Sequence, residues 1–375
     1  MNRKLKIAYI GWAHSIHMIR WVSWFANRGH EIHLITNKFY PIDGIRIYEL
    51  QGSKAYVPLN VFDINYKLHL LFTLFKIRKL VKEIAPDIFH LHTLYYPSYL
   101  GALVNFRPIV VMPWNGDIIW KKDRSFLHDL LVKRSLRLAD LVPLQTNYLK
   151  NRCIELGVDK RKIKLVQFGV DIERFKFKGD IETVKRSLNI NTDNVVISTR
   201  NINYNVIKII EAIPIVLDKI PDATFVFIWP NIELDANPIL KRIKELGVEM
   251  SVRIVGRVDK HDDLPKYLFI ARTFVSVSTI DCFPQTALEA MVMKVFLVMG
   301  DVPPVRAYIE NEVDAILVEP LNTESIARGI VHSLKIDNET RNKAVEDNYK
   351  VVCNKANFNK EMEKMEKLYY GLVGE

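Results

Sequence analysis

The chain has 375 residues, 49% of them hydrophobic and 26% charged, a balance that excludes a disordered or fibrous protein and leaves room for two domains with separate cores. Its formal net charge of +10 is unevenly placed, because residues 1–180 hold 29 Lys and Arg against 15 Asp and Glu. There is no run of about 18 apolar residues, which excludes a spanning helix, and Cys153, Cys282 and Cys353 form no CxxC pair, so reduced thiols in a cytoplasmic protein without structural zinc are expected.

In MNRKLKIAYIG the apolar stretch is about five residues long and stops at Gly11, which reads as a first strand and not a signal peptide. The turn Gly11-Trp12-Ala13-His14-Ser15 leads into a helix with Ser15 as N-cap and Gly29 as C-cap. HEIHLIT then returns as a second strand and completes a βαβ unit. A dinucleotide fingerprint needs three glycines in that turn, and the single Gly11 counts against a nicotinamide oxidoreductase. His14 and His17 share a helical face, and His90 and His92 alternate on the strand DIFHLH. With no carboxylate or cysteine cluster beside them, they read as core or cleft residues rather than zinc ligands.

Asn65 to Ala85 is the most amphipathic helix of the chain: Leu68, Leu71, Phe72, Phe75 and Leu80 can form an apolar face, while Lys67, Lys76, Arg78, Lys79 and Lys82 supply charge. A second basic region follows at Lys121, Lys122, Arg124, Lys133, Arg134 and Arg137. Two readings stand side by side, a solvated basic face and a surface for anionic lipid head groups. Nucleic acid is not expected, because no zinc finger or RNP-type motif is present and the basic residues lack interleaved aromatics. IVVMPWNGDI forms another strand-to-loop junction, with Asn115, Gly116 and Asp117 at its rim. ADLVPLQTNYLKNRCIELGV gives a strand and a helix, and KIKLVQFGVDIERF a strand ending in Gly169-Val170-Asp171. The polar, weakly periodic stretch after Phe175 sets the expected boundary, with one domain over 1–175 and a second over 176–356.

From Val195 the alternation restarts. The segments VVISTR, TFVFIW, VRIVGR, TFVSVS, VFLVMG and AILVEP read as strands with helices between them, hence a second parallel sheet. The fourth of these runs through Asp281 and Phe283 to Pro284, expected as the first residue of the helix QTALEAMVM. Asp281 then sits at the carboxyl edge of the sheet and Glu289 a little over one turn into the helix, while the amides of Gln285, Thr286 and Ala287 face an anion. Taken alone, that spacing favours a loop acid and a solvated helix glutamate. The wider pattern of motifs reverses this preference.

The segment DCFPQTALEAM, from Asp281 to Met291, resembles the E-x7-E signature of retaining glycosyltransferases of the GT-B fold, family 4 (group 1). The resemblance extends in order through Ala139-Asp140-Leu141, Gly169-Val170-Asp171 with Phe175, Ser198-Thr199-Arg200, Gly256-Arg257-Val258 and the segment Ala315 to Pro320. It implies an α/β protein of two Rossmann-like, doubly wound domains facing an interdomain cleft, with a final helix over 357–375 returning to the first domain. It implies a nucleoside diphosphate sugar as donor and a glycan or lipid-linked acceptor, in cell-surface polysaccharide or glycoconjugate synthesis. Glu289 would accept both ribose hydroxyls, Asp281 would contact the donor sugar, and Arg200 would stabilise the departing diphosphate. Backbone amides near Phe283, Pro284, Gln285 and Thr286 would hold sugar and phosphate, and the loop Gly256, Arg257, Val258 the base. No cofactor or metal is expected, since no Asp-x-Asp motif is present.

The sequence departs from that pattern in four places. Tyr204, counted among the donor-side residues, and Asn205 stand where the family usually carries lysine, with Lys208 one turn further on; Asp281 replaces the first glutamate. Trp114 replaces a histidine, and Val302-Pro303-Pro304 a glycine pair. Gly11, His14, His17, Asn115 and Asp117 are expected on the acceptor side, because strand-end loops of the first domain carry them. Two rival readings remain at this point: a nucleotide-sugar epimerase of the same fold, and a non-catalytic sugar-nucleotide binder.

Overall fold

The computed structural model describes residues 3–50, 64–119, 126–177, 179–199, 202–228, 232–256, 263–279, 281, 283–309 and 314–375. The chain divides into one unit of Met1–Phe168 with Lys360–Glu375 and another of Gly169–Asn359. Arg200, Arg257, Val258, Cys282, Lys121, Lys122 and Arg124 lie outside the described residues, as does the side chain of Lys67. Among the described residues no helix is long and apolar enough to cross a membrane.

The first unit runs β1 (Lys6–Ile10), α1 (Ile16–Asn27), β2 (Glu31–Thr36), β3 (Arg46–Glu49), α2 (Ile64–Ile84), β4 (Ile88–Leu91), α3 (Ser98–Gly101), β5 (Ile109–Val111), α4 (Asn115–Ile118), α5 (Phe126–Leu138), β6 (Val142–Leu144), α6 (Asn147–Glu155) and β7 (Ile163–Leu165). Its sheet is parallel in the order β3-β2-β1-β4-β5, and a bridge between Val110 and Leu141 carries it on to the β6-β7 pair. The central strands are apolar on both faces because helices cover both. α1 buries Met18, Trp21, Val22 and Phe25, one face at the i, i+3, i+4, i+7 spacing. It stops at Gly29, whose φ of 87° lets its N–H reach the Ala26 carbonyl at 2.8 Å. α3 packs against both α2 and α5, and right-handed crossovers, the general rule for parallel strands, would set these three helices on the face opposite α1. β3 is the strand that alternation does not announce. It is a short edge strand with exposed ends, held to β2 by Arg46 and Glu31 at 2.8 Å as well as by its ladder.

The second unit continues with α7 (Ile181–Ser187), β8 (Val195–Ser198), α8 (Val206–Lys219), β9 (Thr224–Ile228), α9 (Ile232–Glu245), β10 (Val252–Val255), α10 (Leu264–Phe269), β11 (Thr273–Ser276), α11 (Gln285–Val292), β12 (Phe296–Gly300), α12 (Pro303–Arg306), β13 (Ala315–Val318), α13 (Thr323–Lys335) and α14 (Asn338–Lys355). Six parallel strands lie in the order β10-β9-β8-β11-β12-β13. Alternate strand residues feed two cores. Ile197, Val226, Phe274 and Leu297 meet α10, α11 and α14, whereas Val196, Phe225, Val275 and Val298 meet α8, α9 and α13. Truncating Phe274 or Phe225, both fully buried, would cost about 3–5 kcal/mol.

The last helix, α15 (Phe358–Leu372), contributes its residues from Lys360 onward to the first unit. Glu366 takes Arg28 at 2.9 Å and His30 at 2.9 Å, and the buried Tyr369 hydroxyl meets Tyr9 at 3.2 Å and the Nδ1 of His90. Burial pushes the Glu366 carboxyl up, but the hydrogen bonds from Arg28 and His30 outweigh it and hold the group below its ordinary range. A carboxyl depressed in the folded state stabilises above its unfolded value of about 4.3 and loses that contribution as pH falls. The melting temperature should therefore drop as the pH is lowered through the carboxylate range. In Glu366→Gln that acid-side drop should be smaller, as measured by calorimetry across a pH series.

Candidate active site

In the second sheet the strand order reverses between β8 and β11, and doubly wound sheets take ligands at the carboxyl ends of the strands flanking such a point. The loop after β11 carries Asp281, half-buried, whose N–H donates to Ser278 Oγ at 3.2 Å. Phe283 follows, buried and stacked on Tyr308 with ring centres 4.4 Å apart. Pro284 is not the first helical residue, as expected, but the N-cap: its φ of −59° suits a helix while its ψ of 134° does not. Its carbonyl accepts from Ala287 at 3.0 Å and Leu288 at 3.3 Å. The N–H groups of Gln285 and Thr286 are thereby left without an intrahelical acceptor at the positive end of α11. Glu289, in the second turn of that helix, is 0% exposed.

Buried hydroxyls gather at the same edge. Ser198 and Thr199 at the end of β8, Ser276 at the end of β11 and Thr286 at the start of α11 each hold a buried side-chain oxygen with no hydrogen-bond partner among the described residues. Native interiors satisfy the great majority of such atoms, so four at one sheet edge mark a place built for polar company. Of these, Ser198 and Thr199 fall within the expected motif, whereas Ser276 and the hydroxyl of Thr286 carry no signal in the sequence beyond their position at a strand end and a helix start.

Two contacts fix the loops around this point. Asn205, at φ 62°, opens α8 and donates its amide to the Val277 carbonyl at 3.0 Å and to Thr279 Oγ1 at 3.4 Å, tying the β8 loop to the end of β11. The position that usually carries lysine is thus occupied by a brace. Lys208, one turn further on, pairs with Glu211 at 2.7 Å, which also takes Arg242 at 3.0 Å. Tyr204 lies half-buried beside Asn205. On the other side, Gln285 Nε2 donates to the Gly169 carbonyl at 2.7 Å. Gly169 has a φ of 63°, and a Cβ there would stand 2.7 Å from the Phe358 backbone, so no other residue fits. Asp281, Phe283 to Thr286 and Glu289 thus lie in the loop and helix after β11, and Tyr204 in the loop after β8, the neighbouring strand. Gly256 follows β10 at the same edge but three strands away from β11.

In the first unit the strand order reverses between β1 and β4, and aromatic rings cover the corresponding edge. Trp12 stacks on Tyr95 with centres 5.3 Å apart, Trp114 meets Trp12 edge-on at 5.8 Å, and His17 stacks on Phe168 at 4.8 Å. His14 is exposed, its pKa lowered by partial burial and by Lys38. Gly11 is buried, with Met18 where a Cβ would go. His90 and His92 lie in the core, both held neutral chiefly by burial, His92 pushed down to about 3. Asn115 is half-buried at the start of α4. Asp117, by contrast, is wholly buried and serves the protein itself, accepting from the N–H groups of Leu94 and Trp114, each at 2.7 Å, and from the Thr93 hydroxyl at 3.2 Å.

Comparison with known proteins yields two family matches, glycosyl transferase 4-like over residues 6–146 and glycosyl transferases group 1 over residues 180–351. An uncharacterized glycosyltransferase of Methanocaldococcus jannaschii is 22% identical over 362 residues, covering 87% of this chain and 88% of its own. The UDP-Gal:alpha-D-GlcNAc-diphosphoundecaprenol alpha-1,3-galactosyltransferase of Escherichia coli is 24% identical over 323 residues, covering 80% of this chain and 79% of its own. Among solved structures, an Anabaena protein crystallised with UDP-glucose superposes with a TM-score of 0.81 at 16% identity, covering 98% of this chain and all of its own. The likeness extends through both units and is that of the GT-B fold.

Because Asp117 satisfies three protein donors out of water, Asp117→Ala should lower the unfolding free energy by about 3 kcal/mol. Urea denaturation, with the m-value checked for two-state behaviour, measures this.

Proposed function

From the premise that the chain belongs to the group 1 glycosyltransferases of the GT-B fold, we propose that it moves a sugar, with retention of configuration, from a nucleoside diphosphate sugar to a hydroxyl of a glycan or lipid-linked acceptor. The observation that carries this reading is the convergence, where the second sheet reverses its strand order, of a buried carboxylate, a helix start and four buried hydroxyls without partners among the described residues.

Each part has a role that its chemistry suits. Glu289 accepts the two ribose hydroxyls, and Asp281, in the loop between β11 and α11, contacts the donor sugar. The N–H groups of Gln285 and Thr286 and the Thr286 hydroxyl face the diphosphate. As the glycosidic bond to the diphosphate breaks, an oxocarbenium-like sugar forms and negative charge grows on the leaving group. Donors fixed in place beforehand stabilise that charge without reorganising. Arg200 adds a cation to the same end in this scheme, and no metal is invoked. Asn205 acts at one remove, holding the β8 and β11 loops at a set separation so that the two sides of the donor are met together. The acceptor is assigned to the strand-end loops of the first unit, with His14, His17 and Asn115 among its polar groups. The relatives that handle UDP-sugars make those the first donors to test, and a diphosphoundecaprenol-linked acceptor in one of them makes a lipid-linked acceptor, presented at an anionic membrane, the favoured class in cell-surface glycan synthesis.

Glu289→Gln keeps the size of the side chain and removes its charge. It should raise the donor Kd about 30-fold, equivalent to roughly 2 kcal/mol from hydrogen bonds to a charged group. Donor-induced thermal shift and titration calorimetry read this out. Unchanged affinity in a folded variant would remove Glu289 from the donor site.

A further inference from the structure

β1 and β2 are parallel neighbours, with Ile10 opposite Ile35, so the turns that leave them emerge side by side at the carboxyl edge of the first sheet. The first turn closes through the Ser15 N–H on the Trp12 carbonyl at 3.0 Å, which puts Ala13 and His14 at its corners. Thr36, wholly buried at the end of β2, ties the two turns together. Its hydroxyl accepts from the Ala13 N–H at 3.3 Å and donates to the Lys38 carbonyl at 3.2 Å. His14 and Lys38 are thereby held on adjacent turns, and both are exposed.

Neither side chain has an acidic partner among the described residues. The segments 11–15, 37–45, 92–97 and 112–118, which leave β1, β2, β4 and β5, carry two acids, Asp43 and Asp117. Asp117 is committed to Leu94, Trp114 and Thr93. Asp43 stands just before β3 and so at the other edge, since β3 runs parallel to β2. Partial burial and the Lys38 charge lower the His14 pKa, the response of a basic group that faces a like charge and no anion. In the same turn as His14, Trp12 lies half-buried and stacked on the half-buried Tyr95 with ring centres 5.3 Å apart. The edge thus offers aromatic surface beside positive charge.

The C–H face of a sugar ring packs on aromatic side chains, and a phosphate monoester carries nearly two negative charges near neutral pH. A neutral sugar would leave Lys38 and His14 unmatched, and a uronate would bring a single charge. We propose that this edge is a subsite for a glycosyl phosphate, with the Trp12 and Tyr95 pair against the sugar ring and Lys38 and His14 at its phosphate. The inference deepens the acceptor assignment given above, on which it rests for its purpose: the acceptor is then a sugar whose anomeric carbon already carries phosphate.

NMR of the full chain with labelled histidine follows the His14 ring, assigned through His14→Gln, as glucose-1-phosphate is added at saturating UDP. The His14 pKa should rise on binding, because the phosphate replaces a repelling field with an attracting one. In titration calorimetry Lys38→Gln should weaken glucose-1-phosphate about tenfold, the loss of a hydrogen bond to a charged group. Trp12→Ala should weaken it about fivefold, with Trp12→Phe recovering most of the loss. Free glucose and glucuronate should bind about tenfold more weakly than glucose-1-phosphate. Lys38 is exposed, so Lys38→Gln should melt as the wild type does, and it carries the test with the His14 titration if Trp12→Ala does not fold. Absence of saturable binding, binding that leaves the His14 pKa unmoved, glucuronate bound as tightly as glucose-1-phosphate, or inorganic phosphate bound as tightly would each overturn the proposal. A donor-induced thermal shift that persists beside any of these failures supports the transferase reading on its own. Glucose-1-phosphate binding that responds to Lys38→Gln, in a protein with no donor-induced shift, supports the subsite and counts against the transferase reading.

Discussion

A carboxylate held wholly out of water constrains everything around it. Keeping a charge in a protein interior costs several kcal/mol unless the surroundings compensate, and Glu289 occupies such a place in the second turn of α11. An apolar residue would suit the adjoining core of Ala287, Leu288 and Met291 without that cost. The arrangement around it makes sense as a site for a polar ligand. The sheet reverses its strand order beside it, the helix that carries it begins at the same edge, and hydroxyls at two strand ends lack partners among the described residues. Asn205 and Gln285 brace the loops on either side through hydrogen bonds to backbone carbonyls. Each of these features follows from where a parallel doubly wound sheet leaves its backbone unsatisfied.

The first unit meets its corresponding edge with a different chemistry. Rings dominate there: Trp12, Tyr95, Trp114, His17 and Phe168 pack against one another, over buried and neutral His90 and His92. Asp117 belongs to the framework of this edge, clasping the loop after β4 to the start of α4. A cleft acid and a structural clasp look alike in a linear sequence, because both stand where a strand ends and a short helix begins.

What could be read in advance follows from how strongly local physics speaks. The six strands of the second sheet are apolar runs bounded by turns, and burial on both faces makes such runs easy to see. The strand-loop-helix junction that carries Asp281 and Glu289 was legible from the apolar run and the proline that follows it, whereas the full burial of Glu289 was not, since spacing alone favours a solvated helix glutamate. β3 was not, since a four-residue edge strand needs little apolar content. Asn205 carried no signal: its role depends on a left-handed backbone and on a partner 72 positions away. α2 is more instructive. Its leucine and phenylalanine stripe has the periodicity of a core face, yet the core takes Thr73, Ile77, Val81 and Ile84. Periodicity tells that a helix has an apolar side, and only tertiary packing tells which side is turned inward.

The central claim is that the diphosphate end of an activated sugar lies against the start of α11. Amide hydrogen exchange with and without saturating UDP tests it most directly. The account predicts slowed exchange at Phe283, Gln285, Thr286 and the loop from 202 to 206, with the turn at Gly11 to Ile16 unchanged. Saturable binding that slows exchange only in the first unit, and leaves the start of α11 untouched, would contradict it.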